Sequence, residues 1–232
     1  MQQYYVEEPL EEGKIIQLPK DKAHHAFRVL KLHHETVRLV SHGTGWFAEV
    51  YQESGNGMAR ILSADPNLNE LHTDITLCMA LIRREKFELV LQKAAELGVK
   101  KIVPFESSRC VVKAKNEKTA RWNAILLEAC EQCKRTLIPE CTAPVSIKEL
   151  SSFKSAVNLC AYENAGSQAS WIHESLPADS VTIVIGPEGG FSNEEVQLLC
   201  TSGFSSVTLG TRILRAETAA LYACSVIGEI SG

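Results

Sequence analysis

The residues of this 232-residue chain best suited to chemistry lie in two loops. The first reads Ile185-Gly186-Pro187-Glu188-Gly189-Gly190-Phe191. Its three glycines let a ligand approach the backbone closely. It lacks the Lys-Ser/Thr of a phosphate-binding P-loop and the G-x-G-x-x-G of a dinucleotide site. Glu188 at its centre would repel a pyrophosphate but tolerates a cationic ligand such as a sulfonium. The same residues also read as a tight strand-to-helix turn with an exposed Glu. The second loop reads Leu209-Gly210-Thr211-Arg212-Ile213-Leu214-Arg215-Ala216-Glu217-Thr218. Two apolar residues between two arginines suit an adenine pocket rimmed by guanidinium groups that can hold phosphate or a developing oxyanion. The alternative is a buried Ile213-Leu214 pair with solvated arginines. A third loop, Tyr162-Glu163-Asn164-Ala165-Gly166, gains weight only from its place beside the other two.

Positioning such loops requires a scaffold, and the hydrophobic pattern supplies one. From residue 71 the chain alternates strands with helices. Strands are expected at Ile75–Ile82, Lys101–Phe105, Ala156–Tyr162, Val181–Ile185 and Ser206–Leu209, mostly as apolar runs of the kind found in parallel sheets covered on both faces. Phe87, Val90, Leu91, Ala94 and Leu97 mark one helix face, which Gly98 can end. Trp122, Ile125, Leu126, Ala129, Cys130 and Cys133 trace another, ended before Pro139. In an open parallel sheet ligands bind beyond the carboxyl ends of the strands, where all three loops fall. Ser192 and Glu195 form a capping box that starts the helix after the first loop.

Residues 36 to 64 alternate differently, with period two. Val37 and Leu39, then His42-Gly43-Thr44-Gly45, then Trp46, Ala48 and Val50, then Gly55-Asn56-Gly57 and Ile61 predict a β-meander or small barrel. The polar stretch Asp65-Pro66-Asn67-Leu68-Asn69 reads as a linker. A small β domain over 1–70 and an α/β domain over 71–232 follow.

A hydrophobic fraction of 45% and a charged fraction of 22% fit a globular protein, and no apolar run reaches membrane-spanning length. The start carries Glu7, Glu8, Glu11 and Glu12 rather than a basic and then apolar leader, so a cytoplasmic protein is expected. The net charge of -4 is unevenly spread. Residues 71 to 121 hold 11 Lys and Arg against 6 Asp and Glu. From Lys100 the run Lys101, Arg109, Lys113, Lys115, Lys118 and Arg121 meets only Glu106 and Glu117. It reads either as a phosphate-attracting surface or as an ordinary solvated face. The eight cysteines are irregularly spaced, and Cys130-x-x-Cys133 has no second Cys or His pair. Reduced, mostly buried thiols and no metal are expected.

The paired segments Ile185–Ser192 and Leu209–Ala219 resemble those of the RsmE family, bacterial 16S ribosomal RNA uridine-N3 methyltransferases of the SPOUT superfamily. Further matches cover nearly the whole chain. They are His25 with Val29-Leu30-Lys31, the stretch Glu88 to Val99, Ser108-Arg109-Cys110-Val111-Val112, and Arg121-Trp122 leading to Glu128, Gln132 and Arg135. Lys31 stands where the family usually has Arg, and the start Met1-Gln2-Gln3-Tyr4-Tyr5 lacks the common basic pair.

The resemblance implies a small PUA-like β-barrel that binds RNA, followed by an α/β domain with a SPOUT-type trefoil knot. It implies S-adenosylmethionine as cofactor, held by Tyr162, Ile185, Gly186, Pro187, Glu188, Gly189, Gly190, Leu209, Gly210, Ile213, Leu214 and Thr218. RNA contacts are expected from His25, Lys31, Arg109, Lys113 and Arg135. A homodimer is implied too, and the helix after Glu217 agrees in being apolar or small on nearly every side; a fully buried core helix explains that equally. The implied substrate is a uridine in the decoding region of small-subunit ribosomal RNA, within the assembled subunit. Its N3 must lose a proton before it attacks, which calls for orientation, charge stabilisation and a proton acceptor. Arg215 is expected to meet the negative charge; Glu217, His25 and water are open as acceptors. Alternatives are a ribose 2'-O-methyltransferase and a non-enzymatic RNA-binding module. The absent dinucleotide fingerprint disfavours an oxidoreductase.

Overall fold

The computed structural model describes residues 1–67, 69–113, 119–163 and 170–231 and divides into two compact units. The first comprises Met1–Glu70 with Cys130–Leu137, the second Leu71–Ala129 with Ile138–Gly232. Leu68, Lys115, Glu117, Lys118, Asn164, Ala165 and Gly166, all named above, lie outside the described residues.

The first unit is built on a five-stranded sheet. Its strands are β1 (Gln3–Tyr5), β2 (Ile15–Gln17), β3 (Glu35–Ser41), β4 (Thr44–Glu53) and β5 (Asn56–Asp65), in the order β1-β3-β4-β5-β2. The meander β3-β4-β5 turns tightly because each connection is two residues with positive φ: His42 at 48° with Gly43 at 78°, and Ser54 at 50° with Gly55 at 82°. Paired positive φ values give a turn whose twist matches that of the strands it joins. β1 adds in parallel to β3, and β2 antiparallel to β5. Helix α1 (Lys20–His24) runs on into a wide turn over His25–Val29. Alternate residues Val37 and Leu39 of β3, Ala48 and Val50 of β4, and Ala59 and Ile61 of β5 point into one core with Tyr4 and Phe27.

A buried charge ties this unit together. Arg38 in β3 is buried, and its Nε lies 2.6 Å from Asp65 Oδ2. Its Nη1 donates to Gln3 Oε1 at 2.7 Å and to the Lys134 carbonyl at 2.9 Å. Gln3 Nε2 in turn donates to the Arg135 carbonyl at 2.8 Å. These bonds explain why Cys130–Leu137 groups with the first unit, which a single break near residue 70 does not foresee. Asp65 also accepts from the backbone and side chain of Asn67, so the expected linker starts as a folded turn rather than a free tether.

The second unit holds a parallel sheet of β6 (Asp74–Ala80), β7 (Lys101–Glu106), β8 (Glu140–Cys141), β9 (Val145–Ser146), β10 (Val157–Ala161), β11 (Ser170–Trp171), β12 (Ser180–Ile185) and β13 (Ser205–Thr208). The order is β11-β13-β10-β12-β6-β7-β8, with β9 also on β7. All of these pairs are parallel. β6 and β12 are almost wholly buried, as the apolar runs predict. Helix α2 (Arg84–Glu96) buries Phe87, Val90, Leu91 and Ala94, the face read from its spacing. It ends at Leu97 with Gly98 at φ +82°, the left-handed position where a Cβ is disfavoured. In helix α3 (Thr119–Cys133), Trp122, Leu126 and Ala129 are buried, and the Trp122 ring lies 4.9 Å from that of Phe87. Helices α4 (Asn193–Thr201) and α5 (Ala216–Ser231) follow β12 and β13. α5 buries Ala219, Ala220, Ala223, Cys224 and Ile227, while Tyr222 and Ile230 are exposed. Most thiols are buried, but Cys200 on α4 is exposed. No helix among the described residues is long and apolar enough to cross a membrane.

Candidate active site

The loops after β10, β12 and β13 meet at the carboxyl end of the parallel sheet. There they border a cavity of about 400 Å³ within the second unit. From the first predicted loop it is lined by Ile185, Gly186, Pro187, Glu188, Gly190 and Phe191; from the second by Ile213, Leu214, Arg215 and Ala216. Parallel strands all end at the same edge, so loops distant in sequence converge there.

Local chemistry fixes each wall. Ser192 accepts from the Glu195 backbone N–H, and Glu195 accepts in return from Ser192, which starts α4 sharply after the glycine turn. The buried Glu195 carboxylate also accepts from the Ser108 N–H at 2.7 Å and so anchors the segment after β7. Gly190 has φ +67°, and a Cβ built on it would sit 2.6 Å from Glu163 Oε1. This position, more than Gly189, needs glycine. A Cβ on Gly189 would meet Arg109 Cβ at 3.2 Å, a contact a small shift relieves. The Glu188 carboxylate accepts from the Arg83 backbone N–H at 3.2 Å, at the N-cap of α2.

On the opposite chain segment, Arg215 lines the cavity and its carbonyl accepts from the Ala219 N–H, which begins α5. Glu217 does not line the cavity. Its Oε1 lies 3.0 Å from Lys86 Nζ, while its Oε2 is buried and has no hydrogen-bond partner among the described residues. Burial pushes the Glu217 carboxyl up, but its own backbone N–H, Lys86 and Arg215 outweigh this and hold it below the usual carboxylate range. It is therefore an anion at neutral pH and a weak proton acceptor.

Large apolar side chains face solvent here. Ile213 is 85% exposed and Val111 78%, and both border the cavity. Exposed aliphatic groups beside a concave site offer an apolar ligand a surface to cover. Glu163 and Glu188 supply negative charge to the lining, and Arg83, Lys86 and Arg215 supply positive charge.

The other predicted site residues fall elsewhere. Tyr162, Gly189, Leu209, Gly210 and Thr218 do not line the cavity, although Tyr162, Gly189 and Thr218 each adjoin a residue that does. The Tyr162 hydroxyl donates to Asn193 Oδ1 at 3.1 Å, and Gly210 has φ +121°. Arg109, expected to contact RNA, donates from Nη1 to the Gly189 carbonyl at 3.0 Å. Lys113 is exposed and 3.7 Å from Glu106. In the first unit Lys31 is exposed with φ 56°, and His25 Nδ1 lies 3.0 Å from the Tyr4 hydroxyl. Arg135 corrects its expectation. It is 3% exposed, and its guanidinium bonds Glu70 at 2.7 and 2.9 Å, so it holds the first unit together rather than facing a ligand.

Sequence reasoning missed Arg83, Lys86, Val111 and Phe191 as cavity residues. Val111 and Phe191 both lie inside matched motifs without having been singled out. Lys86 and Arg83 carried no separate signal, because their cavity role depends on segments more than 100 residues away.

Comparison with known proteins bears on this arrangement. A family model described as an RNA methyltransferase domain matches residues 69–228. The chain is 34% identical over 203 residues to ribosomal RNA small subunit methyltransferase E of Mesomycoplasma hyopneumoniae (strain 232), covering 82% of this chain and 87% of that protein. Among solved structures, ribosomal RNA small subunit methyltransferase E from Neisseria gonorrhoeae bound to S-adenosyl methionine matches with TM-score 0.90 and 31% identity, over 99% of this chain and 97% of that one. A methyltransferase from Legionella pneumophila in complex with bound SAM matches with TM-score 0.87 and 34% identity, over 98% and 96%.

Proposed function

This chain belongs to the ribosomal RNA small subunit methyltransferase E family, and from that membership we propose that it moves a methyl group from S-adenosylmethionine to N3 of a uridine in the decoding region of 16S ribosomal RNA. The observation that carries the reading is the convergence of the Gly186–Gly190 turn and the Ile213–Arg215 segment on one cavity.

The residues present fit the cofactor. Exposed Ile213 and Val111 offer an apolar face to adenine, the left-handed backbone at Gly190 favours glycine in the turn, and Glu163 and Glu188 suit a cationic ligand. Ile185 to Gly190, Leu209, Gly210, Ile213 and Leu214 would hold it, with Tyr162 and Thr218 at the edge. Bound there, S-adenosylmethionine supplies an electrophilic methyl group on a sulfonium. The protein's own work is to orient the acceptor, exclude water and favour the uracil anion. Arg215 faces that charge, and the N3 proton leaves to water, because Glu217 is already paired with Lys86 and held low.

The five-stranded sheet with α1 supports a PUA-like RNA-binding role for the first unit, to which His25 and Lys31 contribute; Arg109 and Lys113 extend the RNA surface in the second. In the parallel sheet, β13 is inserted between the earlier strands β10 and β11, which supports a trefoil-knotted connection. Exposed Tyr222 and Ile230 on the otherwise apolar α5 support a homodimer. A cytoplasmic enzyme acting on the assembled small subunit completes the reading. Calorimetric titration with S-adenosylmethionine, followed by transfer of its labelled methyl group into small-subunit particles, tests it. Binding without transfer leaves a cofactor-binding module, and no binding removes the proposal.

A further inference from the structure

We propose that Lys86 is a second cationic group on the acceptor side of the cavity and that Glu217 is the residue that positions it, not the base. The inference rests on the methyl-transfer reading above.

The geometry assigns these roles. Lys86 and Arg215 both line the cavity, one from the first turn of α2 and the other from the residue that opens α5. The Lys86–Glu217 ion pair, at 3.0 Å, bridges the two helix starts. Both side chains are largely shielded, 28% and 14% exposed, so the contact is screened less than a surface pair. A flexible lysine has many rotamers, and a fixed carboxylate at its end selects one that keeps the ammonium beside the cavity. The two helices are 13 and 16 residues long, and the residues at their N-terminal ends, Arg83 with Lys86 and Arg215 with Ala216, form part of the lining. Their partial positive charge adds to that of the side chains.

Lys86 pairs with Glu217 and shares the cavity lining with charged groups from every side of the site: Arg215 at α5, Glu163 after β10, Glu188 after β12, and Arg83 on its own helix. Glu188 already accepts from the Arg83 N–H, and Glu163 packs against Gly190. Among the described residues, that leaves Lys86 and Arg215 as the lining cations beside α5 where an anion can be met.

The step balances simply. The uracil N3–H proton passes to water, the N3–methyl bond forms as the sulfur–methyl bond breaks, and sulfonium and uracil anion become two neutral products. A cation beside uracil stabilises the anion and lowers the pH at which N3 ionises, by about one to three units for an opposite charge within a few ångströms. Rate must then rise with pH along a limb that the cation has displaced downward. Removing the cation moves the limb up, so the loss is large at neutral pH and shrinks as pH increases.

The test is the single-turnover methylation rate of small-subunit particles against pH, at saturating cofactor and RNA, beside calorimetric affinity for S-adenosylmethionine. Lys86→Met alone leaves the Glu217 carboxylate buried and unpaired, so the double variant Lys86→Met, Glu217→Gln is used as well, with Lys86→Arg as the conservative control. Both Met-containing proteins are expected to bind cofactor within about twofold of wild type. At neutral pH they should be slower by about tenfold or more, with the limb moved upward by a unit or more. Lys86→Arg should recover most of the rate, and Glu217→Gln should move the limb by a smaller amount. Two results overturn the proposal: equal rate loss at every pH, and loss confined to cofactor affinity, which would give Lys86 to the cofactor carboxylate. A wild-type protein that binds cofactor but transfers no methyl group refutes the underlying reading, and the assignment falls with it.

Discussion

Arg83 and Glu188 meet at the edge of the cavity, where the Arg83 backbone N–H donates to the Glu188 carboxylate at 3.2 Å. Arg83 is the N-cap of α2, and no side chain of its own helix caps it. The residue three positions on, which would serve in a capping box, is Lys86. Glu188 takes that part from another loop, so the acid at the centre of the glycine turn couples the turn to the start of α2.

That coupling has a measurable size. Glu188→Gln keeps an acceptor oxygen and should unfold near the wild-type temperature. Glu188→Ala removes it and should cost about 1 kcal/mol, a fall of roughly 2–4 °C in Tm for a protein of this size. Equal Tm values for the two variants would show that the bond contributes nothing.

Gly190 and Gly189 should respond differently to the smallest substitution. Gly190→Ala places a side chain at φ +67° with its Cβ 2.6 Å from Glu163 Oε1. Left-handed backbone alone costs an L-residue about 1–2 kcal/mol; the free loop can escape it by shifting, and binding must restore it, so calorimetric affinity for S-adenosylmethionine should fall by about tenfold. Gly189→Ala has only the Arg109 contact to relieve and should stay within about threefold. The reverse order would place the close approach at Gly189.

Arg215→Ala should lower the methylation rate by a factor on the order of 10² to 10³ while sparing cofactor affinity, comparable with removing a charge-stabilising donor. Arg215→Lys should recover part of that, since lysine keeps the charge and loses the planar fork. Weakened cofactor binding as the only defect would move Arg215 to the cofactor side.

The first unit carries an acid-sensitive pair. Burial pushes the Asp65 carboxyl up, but bonds from Asn67 and Arg38 outweigh it and hold the group below its ordinary range. A depressed carboxyl contributes its stability above the unfolded-state pKa and loses it as pH falls through the folded one. Acid unfolding followed by circular dichroism should therefore show a loss of stability below about pH 4 that Asp65→Asn lacks. The variant should itself be destabilised by about 3–5 kcal/mol at neutral pH, because Arg38 is left buried without its partner. Identical acid profiles would refute the role.

The sequence made some of this legible and hid the rest for definite reasons. The α2 face of Phe87, Val90, Leu91 and Ala94 and the end at Gly98 follow from local spacing, and they are found as expected. Both two-residue turns of the meander also rest on neighbours in the chain. β1 escaped notice because it is three residues long, and its buried Gln3 is satisfied by Arg38 and Arg135, far along the chain. Arg135 shows its charge in the sequence but not its partner Glu70. Lys86 likewise reads as an exposed helix cation until Glu217 is brought against it. Contacts among neighbours were readable, whereas a side chain's partner across the sheet was not.

The most direct test of the account is the identity of the methylated nucleoside. Small-subunit particles from cells lacking the protein are treated with the purified enzyme and isotope-labelled S-adenosylmethionine, and the ribosomal RNA is digested to nucleosides for mass spectrometry. The account predicts the label on the uracil base as 3-methyluridine, from one position in the decoding region. Label on a ribose 2'-oxygen, or no label in small-subunit RNA, would contradict it.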